Sequence, residues 1–194
     1  MTHLINRDGD TICGAEPYLD GSNVTTDRAL FSCSECRATF SERINALKNK
    51  TMNDVLEYGH QVIGVFDNDD PAGYLSYSVG RCVLGKPEFV TTGPIPLSVS
   101  QHMINEATRL MDDDLPVKDG YEFLPDTLLE GYSVKVVQVD PTKYELNHIY
   151  RTFGEQPNLE VMQLLWPDME GHFPDDPAYT GPAQPIHPLE GSTA

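Results

Sequence analysis

The stretch Tyr132-Ser133-Val134-Lys135-Val136-Val137-Gln138-Val139 alternates polar and apolar residues and is rich in valine. A period of two with β-branched side chains marks a strand that turns one face to a core. Asp140-Pro141 ends it, and a proline near the first helical position suits a helix running on to about Phe153. Further along, Leu159 to Trp166 reads as a final apolar strand. Toward the N-terminus, Phe89-Val90-Thr91-Thr92 is a short strand closed by Gly93-Pro94. Two β-rich runs, 61–66 and 74–79, flank the turn-like Asp67-Asn68-Asp69-Asp70-Pro71 and read as a hairpin. Met103, Ile104, Ala107, Leu110 and Met111 recur with a helical period, and Ser98 or Ser100 is placed to cap that helix. The run Asp112-Asp113-Asp114 then sits at its C-terminal end, where the macrodipole disfavours acids. Phe40, Ile44 and Leu47 mark a short helix before Lys50, and Thr51 is placed to cap a second one, from about Met52 to Tyr58. Strands outnumber helices, and the helices are interspersed. The expectation is an α+β fold, a mostly antiparallel sheet flanked by a few helices.

The chain has 194 residues with 30 acids against 13 bases, a formal charge of −17. Such a surface repels phosphate, which argues against nucleic-acid binding and against docking on anionic lipid. No run approaches about 18 continuous apolar residues, so no membrane span is expected. The first residues show neither a basic nor an apolar signal region, and the expected location is cytoplasmic. The charge is uneven. Residues 1–50 hold seven acids and six bases, which is −1; residues 51–194 hold 23 and seven, which is −16. Three of the four cysteines lie in the first region. The predicted organisation is a zinc-binding module over 1–50, an α+β domain over 51–175 and a proline-rich extended tail over 176–194. Six prolines from Pro167 onward exclude helix there, while Trp166, Phe173 and Tyr179 could anchor the first half of that segment.

His3, Cys13, Cys33 and Cys36 form the strongest chemical signal. Cys33-Ser34-Glu35-Cys36 is a C-x2-C knuckle, a spacing that points two thiolates at one metal from a tight turn. Three sulfurs and one imidazole suit tetrahedral zinc, and four protein ligands leave no open position, so the site would be structural. His60 and His102 are rival fourth ligands. A disulfide or a redox C-x-x-C is the alternative. A cytosolic chain keeps thiols reduced, however, and the strand-then-helix pattern of thioredoxins is missing before Cys33.

The same residues, His3-Leu4, Cys13-Gly14 and Cys33 to Cys36, resemble short zinc-binding modules of small actinobacterial and actinophage proteins. That resemblance implies a phage-encoded protein acting on a host protein. From about Gly59 to Pro177 the chain resembles an uncharacterised family, domain of unknown function 4262. The resemblance rests on Gly64-Val65-Phe66-Asp67, Tyr74 to Gly80, Lys86 to Gly93, Gln163 to Asp168, Gly171 and Phe173-Pro174. The family usually has His-Pro-Glu where this chain has Lys86-Pro87-Glu88, which weakens any reading in which that histidine does chemistry. The family brings no established activity.

Tyr77, Glu88 and Asp168 are the residues that could line a pocket and work as acid and base. The competing reading makes Tyr77 core and Asp168 a brace after Pro167. Cys82 could pair with His60 or His102 as a nucleophile, although a lone cysteine is more often a small buried hydrophobe. Nucleotide-binding glycine motifs are absent. The expected function is a non-enzymatic binding or regulatory protein whose acidic domain engages a partner with a basic surface. A small hydrolase around Tyr77, Glu88 and Asp168 is the alternative, and an acidic DNA mimic the third.

Overall fold

The computed structural model describes residues 2–4, 23–25, 33–66, 73–125 and 131–189. The chain divides into two compact units, Met1–Lys50 and Thr51–Ala194. In the first, β1 (Thr2–Leu4) pairs in parallel with β2 (Asn23–Thr25). Helix α1 (Ser34–Tyr58) begins there and is continuous, where the spacing predicts two helices split at Thr51. The reason is tertiary. Thr51 is 1% exposed, and its hydroxyl donates to Gln61 Oε1 at 2.8 Å and lies 2.8 Å from His148 Nε2. A threonine engaged sideways by distant partners does not start a helix, although the same hydroxyl is a good cap elsewhere. Gly59 then ends the helix with φ +82°.

The second unit is built on a six-stranded mixed sheet. Its strands are β3 (Gln61–Val65), β4 (Leu75–Val79), β5 (Glu88–Thr92), β6 (Glu122–Phe123), β7 (Val134–Val139) and β8 (Val161–Leu165), in the spatial order β3-β4-β5-β8-β7-β6. Only the central β5–β8 pair is parallel; the other neighbours run antiparallel. The hairpin pairs Gln61 with Val79 and Val65 with Leu75. Residues 67–70, expected as its turn, lie outside the described residues.

Alternation along the strands sorts side chains onto two faces. One face carries Tyr77, Val79, Val90, Val137, Val139, Val161 and Leu165, packed with Leu146, Ile149 and Leu159. The other carries Phe89, Val134, Val136, Met162 and Leu164, covered by Met103, Ile104 and Ala107 of α2 (Leu97–Asp112). The central strand β8 is buried on both faces, which is why it reads as an apolar run rather than an alternation. Each fully buried Met or Ile of α2 contributes about 1.5–3 kcal/mol. Pro96, not a serine, precedes the helix.

After β7, Asp140 accepts a hydrogen bond from Thr142 N at 2.9 Å and caps a single 3-10 turn over Pro141–Lys143. The helix α3 proper is Asn147–Phe153, later and shorter than the sequence suggests. Through residue 189 the proline-rich segment is largely extended and lies against the sheet. Pro188 forms a bridge with Val139. Gln184 Oε1 accepts from Trp166 N at 3.1 Å and its Nε2 donates to Trp166 O at 2.6 Å, so one amide side chain stands in for a neighbouring strand. Gly93 (φ +88°) admits this segment, since a Cβ there would meet Ala183 O at 2.6 Å.

Candidate functional site

Glu88 is the first sequence candidate the fold can judge. It opens β5 with no exposed surface. Ser78 Oγ donates to its Oε2 at 2.5 Å, and the backbone N–H groups of Gly80 and Cys82 donate to its Oε1 at 2.8 and 3.0 Å. Phe89 N in turn donates to Ser78 Oγ at 2.8 Å. The carboxylate thus ties the turn after β4 to the start of β5. Gly80 makes that turn possible: its φ is +115°, and a Cβ would lie 2.2 Å from Val55 Cγ2.

Arg81, 1% exposed, locks the same turn from the other side. Its Nε donates to Pro87 O at 3.1 Å and its Nη2 to Asp112 Oδ1 at 3.3 Å, and the guanidinium lies 5.4 Å from the Phe89 ring centroid. Lys86 Nζ reaches the same Asp112 oxygen at 2.7 Å. Burial pushes the Asp112 carboxyl up, but hydrogen bonds from Lys86 and Arg81 outweigh it and hold the group below its ordinary range. Two of the three acids at the end of α2 therefore have basic partners: Asp112 holds Arg81 and Lys86, and Asp113 takes Arg109 at 2.8 Å. Those attractions override the macrodipole. Cys82 lies beside Glu88, and burial, with that carboxylate, pushes its thiol up to about 12. A thiol held neutral is a poor nucleophile.

Tyr77 is 1% exposed in the core, and its hydroxyl accepts from His148 N at 3.2 Å. Burial pushes its pKa above the ordinary phenol value, so the hydroxyl stays protonated. Asp168 is 5% exposed. Its Oδ1 accepts from the N–H groups of Glu170 and His172 at 2.9 Å each, and its Oδ2 from Thr180 N and Oγ1 at 2.8 and 3.1 Å. The Thr180 backbone bond, followed by those from His172 and Glu170, outweighs burial and holds the carboxyl well below the carboxylate range. Asp168, Glu170 and His172 bring three donor atoms within 4.8 Å of one another. Four hydrogen bonds already occupy Asp168, which suits a folded turn better than a metal.

The three candidates therefore sit in separate hydrogen-bond sets. Three clefts of the described surface are lined by other residues. A cleft of about 390 Å³ involves Cys82, Lys86, Gln156, Asn158 and Glu160. Two more, of about 210 and 370 Å³, share Lys135 and Asp175.

Of the expected zinc ligands, Cys33 and Cys36 are buried at the start of α1, and Cys36 N donates to Cys33 Sγ at 3.4 Å. An N–H to sulfur bond of that kind fits a C-x2-C turn. Cys13 lies outside the described residues, as does the side chain of His3, whose backbone belongs to β1. Of the rival histidines, His60 Nε2 lies 2.9 Å from Asn105 Oδ1, and His102 lies on α2. No helix among the described residues is long and apolar enough to cross a membrane.

Sequence reasoning overlooked Arg81 and Gln163. A glutamine inside the run Val161–Leu165 was the available signal. Gln163 Oε1 accepts from Tyr144 Oη at 2.7 Å, and its Nε2 donates to Thr92 Oγ1 at 2.8 Å and to Pro185 O at 3.0 Å. The amide draws α3's approach and the proline-rich segment onto the sheet.

Residues 54–180 match the family described as a domain of unknown function, DUF4262. The match spans well over half of the chain, and the chain belongs to that family. Comparison with curated proteins and with solved structures returns no match.

Proposed function

We propose that this chain is a non-catalytic binding protein whose second unit engages a protein partner through the partner's basic side chains. One observation carries the reading. Tyr77, Glu88 and Asp168, the residues suited to acid–base work, are each no more than 5% exposed, and their oxygens are held by the chain's own donors. Groups buried and bonded in this way build a scaffold; they are not presented to a substrate. The charge of −16 over residues 51–194 supports a basic partner, because a field of one sign speeds encounter with the other. The test uses a fluorescent, unstructured peptide of alternating arginine and serine, with a glutamate–serine peptide as control. Only the arginine peptide should bind, and its affinity should fall steadily with salt. Equal binding of both peptides, or of neither, overturns the reading.

In the first unit, His3, Cys13, Cys33 and Cys36 are proposed to hold one structural zinc ion. The buried cysteine pair and its N–H to sulfur bond support this. Such a closed site supplies folding free energy to the module rather than chemistry. Elemental analysis of the purified chain should find about one zinc per molecule, lost in Cys33→Ser and in Cys36→Ser. Purified wild-type chain without zinc, with Cys33 and Cys36 joined to each other, sinks it.

A further inference from the structure

Two clefts of the second unit meet at one ion pair. The smaller, about 210 Å³, has an apolar floor of Val137, Ile186 and Pro188 with Asp119 at its rim. The larger, about 370 Å³, is bounded by His172, Phe173, Asp176 and Pro177. Lys135 and Asp175 line both, and their ion pair crosses the junction. The larger cleft alone falls within the range of about 300–1,000 Å³ usual for ligand sites. The proline-rich segment supplies Phe173, Asp175 and Ile186, so the groove exists because that segment is packed.

The chemistry of the junction is that of a cation receptor. Lys135 Nζ lies 5.8 Å from the centroid of the Phe173 ring and is paired with Asp175. An aromatic face beside a carboxylate is what an ammonium or guanidinium seeks. Backbone donors fix two further carboxylates at the rim: Gln138 N donates to Asp119 at 2.8 Å, and Ala178 N to Asp176 at 2.8 Å. Three acids thus line the two clefts, with Lys135 and His172 as the basic side chains among them. Lys135 shares its strand face with Val137, so its stem runs beside the apolar floor.

We propose that this groove receives a lysine or arginine side chain of the partner, and that Lys135 occupies the cation position when the partner is absent. The proposal rests on the binding-protein reading above and names its site. The exchange leaves local charge balanced. The incoming cation takes the Asp175 carboxylate and the Phe173 face, while Lys135, on a flexible stem, turns to water and regains hydration. The net gain comes from the partner's aliphatic stem covering Val137 and Ile186. Arginine fits better than lysine, because its planar fork can bond Asp175 in two places.

The arginine–serine peptide is titrated into the full chain and into two variants, read by anisotropy and by backbone amide shifts. Asp175→Asn should weaken binding about tenfold, and Lys135→Ala should strengthen it several-fold by removing the internal competitor. Amide shifts in the wild type should centre on Val137, Phe173 and Ile186. If the peptide binds the wild type but neither variant alters its affinity, the groove is refuted and the wider reading stands. If the wild type does not bind the peptide, both fall. Should Asp175→Asn unfold, Lys135→Ala decides alone: affinity equal to or below wild type overturns the proposal.

Discussion

Glu88 and Asp175 are carboxylates of the same unit in opposed surroundings. Glu88 has no exposed surface and accepts three hydrogen bonds, two from backbone that cannot move without unfolding the turn. Asp175 keeps 22% of its side chain exposed, and its partner is the end of a long, rotatable lysine. A carboxylate met by backbone donors is part of the fold, whereas one met by a flexible cation at the surface can change partners. Residue type does not separate the two; the kind of donor and its freedom to leave do. Asp168, held by three backbone N–H groups and one hydroxyl, belongs with Glu88.

The largest test of that contrast is Glu88→Ala. It strands the N–H groups of Gly80 and Cys82 and the Ser78 hydroxyl inside the protein, and each buried donor left without a partner costs about 1–3 kcal/mol. For a chain of this size that should lower the melting temperature by about 10 °C. Glu88→Gln keeps the shape and one acceptor, so its loss should be smaller. Thermal unfolding by circular dichroism decides the matter. A melting point within a degree or two of wild type for Glu88→Ala would remove Glu88 from the scaffold and reopen it as an accessible acid.

A smaller effect is expected at the network under α1. His148 Nε2 meets Thr51, Thr51 donates to Gln61, and Gln61 Nε2 donates to Asp54 at 2.7 Å. The chain of donors is consistent with a neutral His148 whose Nε2–H donates to Thr51. Burial, followed by the nearby Arg151, lowers the His148 imidazole below its ordinary value. The unfolded chain then takes up a proton at higher pH than the folded one. This residue's contribution is fully present above about pH 6.5 and declines as pH falls toward the lower folded value. Thr51→Val should cost about 1–2 kcal/mol at pH 7. Denaturant midpoints between pH 7 and pH 5 should fall for the wild type and fall less for His148→Asn. Parallel pH slopes in the two proteins would show that His148 is not held neutral.

These two networks also mark the limit of what the sequence could reveal. The strands were legible because Val134–Val139 and Val161–Leu165 carry their burial in their own side chains. The helix stripe of Met103, Ile104 and Ala107 was legible for the same reason. Thr51 was misleading because its hydroxyl serves Gln61 and His148, and contacts 10 and 97 residues apart leave no local trace. The α+β class and the family domain could be read; the separation of Tyr77, Glu88 and Asp168 into different hydrogen-bond sets could not. The groove was invisible for a further reason. Its walls come from β7, from the turn at Asp119 and from the proline-rich segment, and prolines announce what a segment cannot form, not where it packs.

The smallest expected effect sharpens the contrast most. In a double-mutant cycle on Lys135→Ala and Asp175→Asn, each change alone should cost no more than about 1 kcal/mol of stability, with a coupling of a few tenths. Lys135 and Asp175 are 24% and 22% exposed, so water reaches both ends of the pair. Loss of either partner leaves a group that can hydrate rather than a stranded buried charge. The number matters beyond bookkeeping, because the exchange proposed for the groove requires the internal pair to be cheap to open. A coupling above about 2 kcal/mol would class the pair with buried, hydrogen-bonded ion pairs. Asp175 would then resemble Glu88, Lys135 would be a strut, and an incoming basic side chain could not displace it at any ordinary affinity. A coupling near zero in stability, with Lys135→Ala still strengthening peptide binding, would separate the two kinds of carboxylate by measurement: one whose loss is felt in folding, the other whose partner is felt only in binding.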